Sequence, residues 1–179
     1  MPVVTLPNLL SVSRLFMAPA MFLSVADANW LLAVSILWIA IFTDIGDGYI
    51  ARHTDSTSPL GGLLDHGSDA IFVTCTIAAL VTHGWAPLLL VFMIPAAFLQ
   101  YMLDSRALAG QPLRTSFIGR YNGIAYFVFA GWPIMQKTLN LTPIDWEWFN
   151  FIGWGLVLTT AISMLDRLVT LLSGNDKPA

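Results

Sequence analysis

The chain has 179 residues, of which 56% are hydrophobic and only 11% are charged, and its formal net charge is −3. Soluble globular domains carry about 25% charged residues, so this chain lacks the surface of a soluble enzyme. The same composition excludes a disordered chain, the single cysteine excludes a disulfide-rich scaffold, and the acidic balance predicts no nucleic-acid partner. A mean hydropathy of +0.71 predicts an all-α, polytopic membrane protein.

The apolar segments divide into six predicted transmembrane helices. A membrane helix needs about 20 predominantly apolar residues, and the stretch from Ala70 to Leu103, which contains no Asp, Glu, Lys or Arg, is too long for one span. Gly84 and Pro87 favour a turn inside it. In chain order we expect helices at residues 6–26, 30–52, 60–82, 86–106, 118–137 and 147–172, in a single domain of residues 1–179.

Basic residues predict the orientation of the chain, because cytoplasmic loops are enriched in Lys and Arg. With six helices, one side of the membrane holds most of the basic residues and is therefore the predicted cytoplasmic side: Arg52, Arg106, Arg114, Arg120 and Lys177. The loops on the other side carry only Lys137. Both termini are therefore expected in the cytoplasm.

A rival interpretation treats residues 1–26 as a signal peptide that is cleaved before Asp27. Tryptophans are expected at the membrane interface on the side opposite the cytoplasm, where the helices carry Trp30, Trp85, Trp146 and Trp148.

Four aspartates stand out in this apolar chain. Asp44 and Asp47 end predicted helix 2, and Asp65 and Asp69 begin predicted helix 3. Spacings of three and four residues put each pair on one helical face, and a short loop makes the two helices antiparallel neighbours. Each Asp in a membrane segment costs about 2.5–3.5 kcal/mol, so the cluster needs a positive partner. All-oxygen ligand sets suit Mg²⁺, Mn²⁺ or Ca²⁺, and four carboxylates can hold two ions.

The residues from Asp44 to Asp69 form a longer pattern, D-x2-D-G-x2-A-R-x8-G-x3-D-x3-D. This pattern resembles the signature of the CDP-alcohol phosphotransferase family in all eight fixed positions. Helix 1 resembles a second feature of that family, N-x2-[ST]-x2-R, at Asn8, Ser11 and Arg14. The resemblance covers the six spans, and the chain length is similar to that of the smaller bacterial members, which implies the bacterial inner membrane with a cytoplasmic active site.

The resemblance implies a reaction and a set of roles. An acceptor hydroxyl attacks the β-phosphorus of a CDP-linked alcohol, often CDP-diacylglycerol, and CMP leaves. Asp44, Asp47 and Asp65 would bind one Mg²⁺ or Mn²⁺ ion, Asp65 and Asp69 a second, and Asp69 would also act as the general base. Residues at positions that contact the CDP-linked donor are Asn8, Gly48, Ala51, Arg52 and Ser58.

A homodimer is also implied by the resemblance. The sequence adds small residues on predicted helix 5 that let membrane helices approach closely. The same residues would serve equally well for packing within one chain. They are Gly123, Ala125, Ala130 and Gly131.

The sequence does not identify the acceptor alcohol. Ile118-Gly119-Arg120 resembles the start of helix 5 in phosphatidylglycerophosphate synthases, and Arg114 and Arg120 would suit a phosphorylated alcohol. The same arginines would equally enforce topology. Arg167 would either join the site that holds the acceptor or form an ion pair at the end of its helix, where Asp166 precedes it.

The sequence leaves two alternatives to phosphatidyl transfer. Thr57 to Gly61 and Asp65 to Gly67 are similar to the branch that transfers a phospho-alcohol from soluble CDP-choline or CDP-ethanolamine to a lipid. A cation transporter is a more remote alternative, because its acidic residues would lie deep in several helices rather than at one side.

Overall fold

The structure is a computed structural model and describes residues 6–53, 59–104, 117–142 and 144–172. In this part of the chain all regular structure is helical, and the six predicted helices are confirmed. Their bounds are α1 Leu6–Ala26, α2 Trp30–His53, α3 Pro59–Thr82, α4 Leu88–Asp104, α5 Phe117–Thr138 and α6 Trp146–Leu172.

Four of the described helices, α1, α2, α3 and α6, are long and apolar enough to cross a membrane. α4 is apolar but has only 17 residues. α5 has 22 residues, and Arg120, Asn122, Gln136 and Lys137 lower its hydropathy. That α4 and α5 also span the membrane therefore stays a prediction.

Short polar turns reverse the chain between helices. After α1, Ala28 adopts a positive φ of 56°, and Asn29 Oδ1 then accepts a hydrogen bond from Leu32 N at 3.3 Å, which caps the start of α2. The predicted turn between α3 and α4 is confirmed, with Gly84 at a φ of +71° that glycine adopts without strain. Asp145 Oδ1 accepts from Glu147 N at 3.2 Å where α6 begins.

α1 packs most extensively against α3 and α2. Small residues let these helices approach closely, and Ala18, Ala33 and Ala40 are fully buried there. α4 packs on α3 and α6, and α5 packs on α2, α3 and α6. Large apolar side chains such as Phe16 and Phe42 instead point outward, as expected for a protein surrounded by lipid.

The predicted belt of tryptophans gathers at one end of the bundle. Trp85 stacks on Trp30 with ring centroids 5.7 Å apart and on Trp146 at 3.9 Å. Lys137 Nζ lies 5.2 Å and 5.0 Å from the rings of Trp85 and Trp146. Trp30 and Asp47 lie at opposite ends of α2, about 25 Å apart along the helix axis. The aromatic end is thus far from the aspartates.

Two of the small residues of α5 pack inside the chain. Ala130 and Gly131 are buried, and a Cβ added at Gly131 would lie 3.3 Å from Leu37 Cδ2 on α2. The absence of a side chain at Gly131 therefore serves the α2–α5 contact. Ala130 and Gly131 pack within the chain, whereas a Cβ added at Gly123 would meet nothing within 4 Å. The homodimer stays a prediction.

Candidate active site

The four aspartates converge, as their spacing predicts. α2 carries Asp44 and Asp47 in its last three turns, and α3 carries Asp65 and Asp69 in its first three. Asp44, Asp47 and Asp65 each offer a carboxylate oxygen, and these three atoms lie within 4.8 Å of one another. One potential ligand atom from each of Asp65, His66 and Asp69 likewise lies within 4.8 Å of the other two. Two acidic groups that share Asp65 therefore lie side by side at one end of the bundle.

Arg14 of α1 lies in the middle of this cluster, and only 1% of its side chain is exposed. Its Nη1 donates to Asp44 Oδ1 at 2.7 Å and also to Asp69. Its Nη2 donates to Asp65 Oδ1 at 2.5 Å and also to Asp47. One guanidinium thus bridges both pairs of carboxylates, which is the multidentate role for which arginine is suited.

Ser11 completes the contact between α1 and the cluster. Its Oγ donates to Asp47 Oδ2 at 3.1 Å, one turn before Arg14 on the same helical face. In the sequence, Ser11 and Arg14 stand out only as part of a helix-1 pattern, which does not predict their place at the centre of the site. The available signal was a lone arginine, three residues after a serine, inside an apolar helix.

The donor set fits a hard divalent cation. Carboxylate oxygens of Asp44, Asp47 and Asp65 lie within 4.8 Å of one another, and oxygen ligands are those that Mg²⁺, Mn²⁺ and Ca²⁺ prefer. A single guanidinium leaves an excess of three negative charges among the four aspartates, which further favours a cation. The acidic groups could therefore hold a metal ion. His66 is exposed and its Nδ1 lies 3.9 Å from Asp65 Oδ2.

Of the predicted donor-binding residues, one lies on α1 and three lie on α2. Asn8 is half-buried near the start of α1, and Gly48 directly follows Asp47 on α2. Ala51 and Arg52 continue the last turn of α2, where the structure describes the backbone only. Ser58 lies outside the described residues.

Of the two predicted acceptor arginines, only Arg120 belongs to the part of the chain that the structure describes. Arg120 is exposed on the first turn of α5, whereas Arg114 lies outside the described residues. Arg167 of α6 lies with Nη1 3.5 Å from Asp104 Oδ2 of α4, and its Cζ lies 4.8 Å from the centre of the Tyr101 ring. Arg167 therefore pairs with Asp104.

A cavity of about 660 Å³ opens beside the cluster and is bounded by α2, α3, α4, α5 and α6. Most of its walls are apolar. Its polar lining residues are Asp44, His66, Asp69, Tyr101, Arg120, Asn122, Tyr126, Thr160, Ser163 and Arg167. The cavity thus joins one face of the carboxylate cluster to both described arginines of the predicted acceptor site.

Comparison with known proteins agrees with this geometry. The family model of CDP-alcohol phosphatidyltransferases matches residues 4–167. A Mycobacterium tuberculosis protein provisionally named cardiolipin synthase is 30% identical over 167 residues, which cover 87% of this chain and 75% of that protein. A CDP-diacylglycerol–glycerol-3-phosphate 3-phosphatidyltransferase of Pseudomonas fluorescens is 35% identical over 83 residues, or 44% of this chain and 43% of that protein.

Other relatives are longer than this chain. A cardiolipin synthase (CMP-forming) / mitochondrial hydrolase fusion protein of Schizosaccharomyces pombe is 42% identical over 91 residues, which are 50% of this chain but only 15% of that protein. The match spans 30% of the human cardiolipin synthase (CMP-forming). No solved structure matches the chain significantly. The extent of the family match, together with the converging aspartates, shows that the chain belongs to the CDP-alcohol phosphatidyltransferase family.

Proposed function

We propose that this protein is an integral membrane enzyme of phospholipid synthesis, which transfers a phosphatidyl group from CDP-diacylglycerol to an alcohol and releases CMP. The observation that carries the proposal is the convergence of Asp44, Asp47, Asp65 and Asp69 at one end of an apolar helical bundle. Family membership and the transferase names of the relatives support it.

Two Mg²⁺ or Mn²⁺ ions are proposed as cofactors. Asp44, Asp47 and Asp65 would hold one ion, and Asp65 and Asp69 the other, in keeping with the two overlapping acidic groups. When bound, the ions would neutralise the pyrophosphate of the donor and the charge that develops on the departing CMP.

Residues of the chain would then position the donor. Asn8, Gly48, Ala51, Arg52 and Ser58 are proposed to bind its CDP part. A glycine beside Asp47 leaves room for a planar or charged ligand to approach the backbone, and an arginine at position 52 would bind phosphate oxygens. The acyl chains of the donor would remain in lipid while its nucleotide meets water at the end of the bundle.

Asp69 is proposed as the catalytic base. The acceptor oxygen attacks the β-phosphorus, the bond from this phosphorus to the oxygen of CMP breaks, and the hydroxyl proton passes to the Asp69 carboxylate. Asp69 is suited to this role because it lines the cavity as well as the carboxylate cluster. Arg114 and Arg120 are proposed to hold the acceptor.

The surroundings of the enzyme are proposed from sequence. All six helices would span the bacterial inner membrane as one domain of residues 1–179, with the active site and both termini in the cytoplasm. The asymmetry of Lys and Arg supports this orientation, and the aromatic cluster at the far end of the bundle fits the opposite interface. The homodimer stays a proposal from the family resemblance.

An assay of CMP release tests the proposal. The purified chain is supplied with radiolabelled CDP-diacylglycerol, Mg²⁺ and a panel of alcohols, and CMP is expected only when a suitable alcohol is present. Release of CMP that does not depend on any alcohol would contradict a transferase. The alternative, transfer from soluble CDP-choline or CDP-ethanolamine to diacylglycerol, is tested in the same assay with those donors.

A further inference from the structure

The cavity beside the aspartates opens on the outer surface of the bundle. Its lining includes Ile45 of α2 with Ile124 and Val128 of α5, whose exposed fractions are 62%, 58% and 61%. Apolar side chains that are both exposed and part of a cavity wall mark its mouth. With α5 spanning the membrane as predicted, this mouth faces hydrocarbon rather than water, so it admits a ligand with an apolar body.

The cavity meets the catalytic cluster on the side of the proposed base. Asp69 and Asp44 line it, whereas the donor-side residues Asn8 and Gly48 are absent from its lining in the part of the chain that the structure describes. A general base must lie within hydrogen-bonding reach of the proton that it takes. The molecule that occupies the cavity next to Asp69 is therefore the one that carries the attacking hydroxyl.

The inner wall of the cavity offers groups for a polar, anionic head. Asn122 is only 7% exposed, and its side chain lines the cavity together with that of Tyr126. Its amide is a hydrogen-bond donor that an oxygen of a ligand head can accept from. Arg120 lines the same cavity and supplies positive charge, and Arg167, which also pairs with Asp104, lies in its wall.

We propose that the acceptor is itself a lipid, a hydroxyl-bearing anionic phospholipid that enters sideways between α2 and α5. The inference rests on the proposed function and names its acceptor class. The lipid's headgroup hydroxyl reaches Asp69, its phosphate lies near Asn122 and the arginines, and its apolar part lies against Ile124, Phe127 and Val128. A new bond forms between the acceptor oxygen and the β-phosphorus, CMP leaves, and the product is two lipids joined through a phosphodiester.

The acceptor class is tested with the full chain in detergent–lipid micelles that contain CDP-diacylglycerol and Mg²⁺. Phosphatidylglycerol is the lipid probe and glycerol 3-phosphate is the water-soluble one. We expect kcat/KM to be at least about tenfold higher for phosphatidylglycerol than for glycerol 3-phosphate. Only phosphatidylglycerol has an apolar part to bury in the cavity, and even a small apolar contact gives a ratio of this size. Equal or faster use of glycerol 3-phosphate overturns the inference and leaves phosphatidyl transfer standing. Failure to release CMP with any alcohol overturns both.

A pair of matched variants tests the route into the site. A Cβ added at Gly123 or at Gly155 meets nothing within 4 Å, but only Gly123 lines the cavity. Gly123→Leu is expected to raise the KM for phosphatidylglycerol several-fold, with the KM for CDP-diacylglycerol unchanged, and Gly155→Leu to change neither. A rise in the CDP-diacylglycerol KM alone would mean that the cavity holds the donor chains and would overturn the inference. If Gly123→Leu does not fold, Val128→Phe narrows the same mouth, with Leu158→Phe on α6 as its control.

Discussion

Arg14 Nη1 lies 2.7 Å from Asp44 Oδ1, although the two residues belong to different helices and stand 30 positions apart in the chain. The same side chain reaches the other three aspartates, so α1 supplies the internal counter-charge of the cluster. Four carboxylates at one place repel one another, and this buried cation lets α2 and α3 present them together.

Removing that cation is expected to destabilise the protein. Arg14→Gln should lower the free energy of unfolding by about 3–5 kcal/mol in EDTA, the cost of breaking a buried ion pair. Excess Mg²⁺ should reduce this deficit, because a ligand that binds the folded state stabilises it by mass action. Thermal unfolding in detergent, with and without Mg²⁺, measures both effects. Arg120→Gln removes an exposed arginine and serves as the control. An unchanged melting temperature for Arg14→Gln in EDTA would contradict the counter-charge role.

Metal removal is expected to abolish activity. Excess EDTA should stop CMP release, and added Mg²⁺ or Mn²⁺ should restore it, because the proposed metal ligands are all carboxylates. Asp65 belongs to both acidic groups, so Asp65→Asn should weaken metal binding more than Asp44→Asn. Titration with Mn²⁺, followed by electron paramagnetic resonance, measures this order directly. Full turnover in excess chelator would refute the two-ion proposal.

Arg120 is expected to act on the acceptor rather than on the donor. A lost charge-assisted hydrogen bond is worth about 1.5–3 kcal/mol, so Arg120→Ala should raise the acceptor KM by roughly 10–150-fold. The CDP-diacylglycerol KM should change little. Steady-state kinetics with each substrate varied in turn give both values. Lys137→Ala, at the aromatic end of the bundle, is the matched control. If neither Arg114→Ala nor Arg120→Ala alters the acceptor KM, these arginines serve topology alone.

Local chemistry explains why much of this arrangement is predictable from sequence. Apolar runs set the helices, Gly84 and Pro87 mark the turn between α3 and α4, and the spacing of the aspartates predicts their convergence. The position of Arg14 depends instead on how α1 packs between α2 and α3, which no local pattern encodes. The inward packing of Gly131 against Leu37 and the cavity formed by five helices likewise depend on long-range contacts.

The most direct test of phosphatidyl transfer at the carboxylate cluster is a pH–rate profile of Asp69→Asn, measured together with CDP-diacylglycerol and Mg²⁺ binding. An asparagine keeps an oxygen that can meet a metal ion, but its amide cannot accept the acceptor's proton. Binding should therefore be largely retained while kcat falls by roughly 10²–10⁴-fold, the contribution of a general base. Raising the pH should recover part of the rate, because more of the acceptor is then deprotonated without the base. Turnover within a few-fold of wild type, or a failure explained wholly by lost metal binding, would contradict the assignment of Asp69 as the base.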